Sequence, residues 1–335
     1  MTKISVIIPA FNRADLIGQT LRSLLNQTMV AKEIIVVDDG SQDGTAEAVF
    51  EMLKLREAEK LKISDGKPWP ELKVIQQENA GPGSARNRGL TAATGEFIHF
   101  FDSDDIAARN KHELQLNALL ESGADIAYGP WVKGRFRPFQ KLKAELTTED
   151  TESTEDWFVQ KQGCAWTSQA NAVFSKPSTS ELAPDSENTS LTRFAMKPAD
   201  RFSSFRFQIS GFSAEGPALQ AKGLPEGNLI KALLTNWSVV PHACLFRRSI
   251  LEKAGGFPED IWVGEDQLLF LRCLLAGAKV VHTPGTMVFY RLGEEGKLTE
   301  SREGQRRRVV DWGKFLVKAS VEVARLEVEE IITTE

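Results

Sequence analysis

Gly95-Glu96-Phe97-Ile98-His99-Phe100-Phe101-Asp102-Ser103-Asp104-Asp105 is where the chain first commits itself to an architecture. Phe97 to Phe101 is a short apolar run that reads as a buried strand, and it stops abruptly at three carboxylates. Two earlier runs behave alike. Ile4-Ser5-Val6-Ile7-Ile8 leads into Pro9-Ala10-Phe11-Asn12, and Glu33 to Val37 leads into Asp38-Asp39-Gly40-Ser41. Leu72 to Ile75 is a further strand, followed by the turn Gly81-Pro82-Gly83, and Asp125 to Tyr128 is another. Helical spacing separates them: Ile17, Leu21, Leu24 and Leu25, with Asn12 as the cap and Asp15 near the positive end. Ala46, Val49, Phe50 and Leu53 follow from Thr45, a small-residue helix spans Ser84 to Ala93, and Leu116, Leu119 and Leu120 share a face. Strands alternating with helices predict an α/β fold, a mostly parallel Rossmann-like sheet with helices on both faces. Ligands of such sheets bind beyond the carboxyl ends of the strands, where both acidic clusters fall.

The bulk numbers narrow the function. The 335 residues suffice for two domains or one large α/β domain with insertions. Lys and Arg number 41 against 46 Asp and Glu, a net charge of −5 that gives no general attraction for nucleic acid. Cys164, Cys244 and Cys273 show no CxxC spacing, so neither a zinc site nor a disulfide framework is indicated, and a reducing cytoplasm is expected. Met1 to Ala10 reads as a strand rather than a signal peptide. No stretch reaches the ~18 uninterrupted apolar residues of a membrane span; Leu268 to Val281 is broken by Arg272 and Lys279.

Periodicity fades over residues 131–228, which read as a variable insertion rich in Ser, Thr and acidic residues. It divides a first half, 1–130, from a second, 229–295, with a helical tail over 296–335. In the second half come a helix near Leu229 to Leu234, a strand near Ala243 to Phe246, Gly255-Gly256-Phe257, a helix opening at Glu265-Asp266, and strands at Lys279 to Thr283 and Met287 to Tyr290. The tail, Gln305 to Ile332, reads as one long amphipathic helix. Arg306 to Arg308 with Trp312 and Phe315 suits either an ordinary packing helix or contact with an anionic membrane surface.

Taken one at a time, the polar clusters leave two readings each. Asp102-Ser103-Asp104 is either a solvated helix-capping turn or a pair of hard oxygens for Mg²⁺ or Mn²⁺. Asp39 sits in an ordinary turn or accepts a hydrogen bond from a base or ribose. Gly81 and Gly83 turn the chain, and Arg86 either pairs with phosphate or organises the aspartates. No Gly-Lys-Ser/Thr follows and GxGxxG is absent, which excludes a Walker loop and disfavours a nicotinamide cofactor. Glu265-Asp266 caps a helix or supplies a carboxylate that the helix dipole keeps ionised to accept a proton.

The pieces in this order resemble the family-2 glycosyltransferases, inverting enzymes with the GT-A fold. The carriers are the segments 4–12 and 36–45, Asn79 to Gly89, Gly95 to Asp105, Phe246-Arg247-Arg248-Ser249, Gly255-Gly256-Phe257, Gly264-Glu265-Asp266 and Tyr290-Arg291. The resemblance covers roughly 1–130 and 240–292. It implies that Pro9, Ala10 and Phe11 line a nucleotide pocket, that Asp39 binds the base, and that Arg86 orders the donor side. Asp102 and Ser103 would lie against ribose and diphosphate, with Asp104 the principal ligand of a divalent metal, Mn²⁺ or Mg²⁺, beside Asp102. Asp266 would be the general base, with Glu265 and Trp262 near the acceptor; of Trp237 and Trp262, the latter is the expected stacking partner. Many relatives carry His two positions after the Tyr-Arg pair, where this chain has Gly293.

The implied partners are a nucleotide-sugar donor, UDP the usual carrier, and a glycan or lipid-linked acceptor, with no nucleic acid. The implied setting is cytoplasmic, with peripheral contact to the inner face of the membrane through the tail. A nucleotidyltransferase would want a glycine- and basic-rich loop after the first strand, where Pro9-Ala10-Phe11-Asn12 stands. A phosphoacceptor module leaves Glu265-Asp266 unexplained, and a non-catalytic sugar-nucleotide-binding protein is the remaining alternative.

Overall fold

Buried on both faces, β1 (Ile4–Ala10) has a composition that only a central strand of a covered sheet tolerates. In the computed structural model of the chain, residues 3–57, 68–134, 136–138, 205–209, 212–216, 224–235, 237–292 and 302–333 are described. Contacts divide the chain into two units, Met1–Gly134 with Ala221–Glu335, and Arg135–Gln220.

In the first unit, β1 is followed by α1 (Ala14–Leu25), β2 (Glu33–Asp38), α2 (Thr45–Glu57), β3 (Glu71–Gln76), α3 (Pro82–Ala92) and β4 (Phe97–Phe100). A two-residue β5 (Ile106–Ala107), α4 (Lys111–Ser122), β6 (Ile126–Tyr128) and β7 (Trp131–Gly134) complete this half. The second unit contains an antiparallel three-stranded sheet of β8 (Phe136–Pro138), β9 (Phe205–Ile209) and β10 (Phe212–Gly216), with β10 central. The chain returns through α5 (Leu229–Thr235), β11 (Cys244–Arg247), α6 (Arg248–Ala254), α7 (Glu265–Leu275), β12 (Val280–His282), β13 (Val288–Arg291) and α8 (Arg302–Thr333).

The main sheet runs β12-β6-β11-β4-β1-β2-β3. Every neighbouring pair is parallel except those made by β11, which is antiparallel to both β4 and β6. The expected α/β class with a mostly parallel sheet is therefore what forms, with one reversed strand supplied from the second half of the sequence. A smaller sheet, β5-β13-β7, braces the segment after β4. Period-two alternation sends Ile7, Ile35 and Val37 to one core with Phe100, Phe246, Leu268 and Phe270. Val6, Ile8, Ile34 and Val36 face the other, against Ile17, Leu21 and Leu24 of α1.

Two sequence expectations change. Asn12 does not cap α1: it has φ +53° and accepts from the Gln42 backbone N–H at 3.0 Å. The cap comes from the next crossover, where the Asp43 carboxylate accepts from Ala14 N at 2.9 Å and the Thr45 hydroxyl from Arg13 N at 2.7 Å. Similarly, β7 lies within the expected insertion but pairs with β13 in the first unit, so the second unit begins at Arg135. The glycines of α3 serve packing as well as turning. A Cβ at Gly89 would stand 2.3 Å from Ile7 Cγ2, so the helix lies closer on β1 than any side chain there would permit.

Candidate active site

Register brings the acidic turns to one edge. β1 is parallel to β2 and β4, with Ala10 opposite Asp38 and Ile7 opposite Phe100, so all three strands point their carboxyl ends the same way. Pro9 and Ala10 close β1 at that edge and Phe11 follows, half exposed. Asp39, just past β2, is buried, and its carboxylate is a strap. Oδ1 accepts from Gln77 Nε2 (2.8 Å) and Ala80 N (2.9 Å), and Oδ2 accepts from Gly81 N (2.9 Å). It thereby holds the turn that opens α3. Gly81 has φ +91°, a left-handed conformation that favours glycine.

Arg86, on α3, is the centre of the site. Its Nη2 donates to Asp102 Oδ1 at 2.9 Å and its Nη1 to Glu265 Oε1 at 2.7 Å. One guanidinium thus ties the end of β4 to the first residue of α7, 179 positions away from Arg86 in sequence. The planar fork suits two carboxylates at once in a way that an ammonium would not. Burial disfavours the Arg86 charge, but Asp102 and Glu265 more than offset it and its pKa is raised. Asp102 is pushed the other way: burial opposes its ionisation, yet the His242 hydrogen bond and the Arg86 charge hold its carboxyl far below the usual range.

The 103–105 turn is pinned from several sides. The Thr20 hydroxyl on α1 bonds the carbonyls of Ser103 (3.0 Å) and Asp105 (2.9 Å). Arg291 of β13 donates from Nε to Asp104 O (2.8 Å) and from its backbone N–H to Asp105 Oδ1 (3.0 Å). The Asp104 carboxylate faces Arg13 Nε at 3.5 Å. Asp102, Asp105 and His242 present ligand atoms within 4.8 Å of one another, with His242 Nδ1 at 3.0 Å from Asp102 and 3.3 Å from Asp105. The sequence reading chose Asp102 and Asp104 for a cation, and the fold gathers Asp102 with Asp105 and His242, leaving Asp104 towards Arg13. Hard carboxylate oxygens at this density suit Mg²⁺ or Mn²⁺.

Asp266 is the second residue of α7, half-buried, and its Oδ1 accepts from its neighbour Gln267 N at 2.8 Å. Burial and the adjacent Glu265 push its pKa up to about 7, and the Arg86 charge only partly opposes them. The helix dipole expected to keep it ionised does not win against burial, so Asp266 titrates near neutrality. Glu265 is itself raised by burial despite its Arg86 partner. Trp262, half-buried, lies against Gly81, whose Cβ position is 2.5 Å from Trp262 Cε2. The Arg307 guanidinium covers its ring at 3.7 Å. Trp237 belongs to the core beside Tyr128 and Phe270, out of reach of any ligand.

Sequence reading finds neither Arg13 nor Thr20, and finds His242 only as a histidine near the expected site. His242 sits in a short 3₁₀ turn, Pro241–Ala243, with no ligand spacing to mark it. It is set in place by His99, whose Nε2 contacts the His242 carbonyl at 3.1 Å and whose Nδ1 contacts His112 at 2.9 Å. Burial first, then the Lys111 charge, keeps both supporting histidines below the ordinary value, His112 at about 3. Both are buried props. In the tail, Phe315 packs in the core, Arg307 stacks on Trp262 and stays partly exposed, and Trp312 is exposed. Trp312 stacks on Phe315. Among the described residues, no helix is long and apolar enough to cross a membrane.

A mostly parallel sheet with one reversed strand, and an acidic turn tied by arginine to a carboxylate-bearing helix start, is the GT-A class of architecture. The first 349 residues of Staphylococcus aureus TarS superpose over 96% of this chain and 65% of theirs, with TM-score 0.52 and 20% identity. A mannosyltransferase from Pyrobaculum calidifontis, in complex with GDP-Man and Mn²⁺, gives TM-score 0.52, 18% identity, and 95% and 64% coverage. The family profile described as Glycosyl transferase family 2 matches residues 5–183. The chain belongs to that family. It is similar to an uncharacterised glycosyltransferase, YibD, of Escherichia coli K12, 36% identical over 125 residues, covering 37% of this chain and 33% of YibD. It is also similar to the Escherichia coli UDP-Glc:alpha-D-GlcNAc-diphosphoundecaprenol beta-1,3-glucosyltransferase WfgD, 33% identical over 147 residues, 42% of this chain and 52% of WfgD. The matched part spans well under two-thirds of these relatives.

Proposed function

We propose that the chain is an inverting glycosyltransferase that moves a sugar from a nucleoside-diphosphate sugar, with UDP as the carrier, to a hydroxyl of a glycan or lipid-linked acceptor. The observation that carries this reading is the Arg86 bridge, which ties Glu265, the chain neighbour of Asp266, to Asp102 at the end of β4. Pro9, Ala10 and Phe11 line the nucleotide side with Asp39, whose Oδ2 retains acceptor capacity towards a base. Asp102, Ser103 and Arg86 face the diphosphate and ribose, and Trp262 and Glu265 flank the acceptor. WfgD's name specifies a UDP-glucose donor and a lipid-linked acceptor, which supports the choice of substrates.

The residues present fit a divalent cation, Mn²⁺ or Mg²⁺: Asp102, gathered with Asp105 and His242, would hold it, with Asp104 of the same turn as a further ligand. Such an ion would supply Lewis-acid stabilisation of the leaving diphosphate. The protein does the rest. Asp266 takes the proton from the acceptor hydroxyl as that oxygen bonds to the anomeric carbon and the bond to the diphosphate oxygen breaks. The positive charge that develops on the sugar resembles the oxocarbenium character of glycoside hydrolysis. One displacement inverts the anomeric centre. A base near neutral pKa suits this task, because it is ionised at working pH yet basic enough to accept the proton.

The test is a thermal-stabilisation panel of UDP-glucose, UDP-N-acetylglucosamine, UDP-galactose and GDP-mannose, with and without Mn²⁺. A UDP-sugar should raise Tm more in the presence of the metal. Asp104→Ala should abolish metal-dependent UDP binding in calorimetry; unchanged binding there removes the ligand assignment.

A further inference from the structure

The C-terminal helix lies outside the residues the family profile matches, yet it grips the segment that carries the proposed base. Asp311 is 1% exposed. Its Oδ2 accepts from the backbone N–H groups of Trp262 (3.0 Å) and Val263 (3.1 Å), and Lys314 Nζ lies 3.5 Å from Oδ1. Lys314 also donates to the Asp260 carbonyl at 2.7 Å, and Lys318 pairs with the Asp260 carboxylate at 3.0 Å. One turn before Asp311, Arg307 presses on the Trp262 indole, which in turn rests on Gly81. Gly264, left-handed at φ +92°, packs on Trp312 and starts α7 at Glu265. Phe315 and Ala319 anchor the helix itself in the core.

We propose that Asp311 and Arg307 are positioning residues for catalysis: the tail helix fixes residues 262–264 against the Gly81 turn and thereby sets the placement of Asp266 over the donor. This rests on the reading of Asp266 as the base. A buried carboxylate that collects two consecutive backbone donors immediately before a helix start constrains that start as a cap does, but from a separate element. The same contact joins the two sides of the site, since Gly81 is held by Asp39 on the nucleotide side and touched by Trp262 on the acceptor side.

Substitution at Asp311 separates positioning from general stability. Asp311→Ala should speed amide hydrogen exchange at Trp262 and Val263. It should also lower kcat for UDP release from the panel UDP-sugar about 10- to 100-fold, the scale of a small misplacement of catalytic groups. The donor KM and calorimetric UDP binding with Mn²⁺ should stay at wild-type values. Asp311→Asn keeps an acceptor oxygen for both N–H groups and should restore kcat and protection. If Asp311→Ala does not fold, Arg307→Ala, which leaves the buried carboxylate in place, should show the same loss of kcat at constant KM. Wild-type exchange and kcat in both alanine variants overturn the proposal, as does a rise in KM with kcat unchanged. Full activity in Asp266→Asn, run in parallel, overturns the base assignment instead, and the exchange measurement needs no substrate at all.

Discussion

Raising the pH from 6 to 8 should increase kcat/KM about tenfold, because Asp266 must be ionised to accept a proton. Burial and the Glu265 charge push its carboxyl from an ordinary 3.8 up to about 7. With that value, about one molecule in eleven carries the ionised base at pH 6 and about ten in eleven at pH 8, so activity climbs with pH and then levels. An unshifted carboxylate would give a flat profile over the same range. Glu265→Gln works on the cause. It removes the neighbouring negative charge and frees part of the Arg86 charge, and both changes favour ionised Asp266, so the acid limb should move to lower pH. Asp266→Asn should lower kcat/KM about 10²- to 10⁴-fold and abolish the limb, which controls for ionisation of the donor. The assay is UDP release from the panel UDP-sugar between pH 5 and 9 at fixed ionic strength. A flat wild-type profile between pH 6 and 8, or a limb that persists in Asp266→Asn, refutes the reasoning.

Arg86→Ala strands the buried Glu265 carboxylate and leaves the partly buried Asp102 to His242 alone, and should cost about 3 kcal/mol in urea unfolding, with Arg86→Lys intermediate because one ammonium cannot repeat both bonds. Glu33, whose carboxylate accepts from Ser5, Thr94 and Lys73, is lowered from 4.5 to about 2, although burial opposes this. Its folded pKa lies below the unfolded one, so its contribution is complete above pH 4.5 and disappears as the pH falls through 2. At 1.36 kcal/mol per pH unit that is about 3 kcal/mol, and Glu33→Gln should flatten this part of a stability–pH curve. Gly89→Ala would drive a methyl group to 2.3 Å from Ile7 Cγ2 and should destabilise the protein by about 1–3 kcal/mol, read from the Tm.

The sequence by itself determined the donor half of the architecture, since strand and helix there are local matters. Ile4 to Ile8 and Glu33 to Val37 are apolar apart from Ser5 and Glu33, a composition that suits a strand covered on both faces. Carboxylates placed straight after such strands must lie at the sheet's carboxyl edge. Glu265 at the start of a helix was equally legible, as was the long tail helix. Tertiary structure decided which of these groups meet. Nothing local announces that Arg86 reaches both Asp102 and Glu265, that His242 comes to lie on Asp102 and Asp105, or that Asp104 turns to Arg13. These contacts join residues whose separation along the chain carries no periodic signal. The pKa of Asp266 belongs to the same category: the helix start argues for a low value, and burial in the folded chain, with the Glu265 charge beside it, pushes it up. The anchoring of Trp262 and Val263 by Asp311 is likewise invisible until the tail is folded back, because a buried aspartate on an amphipathic helix looks in sequence like one more solvated charge.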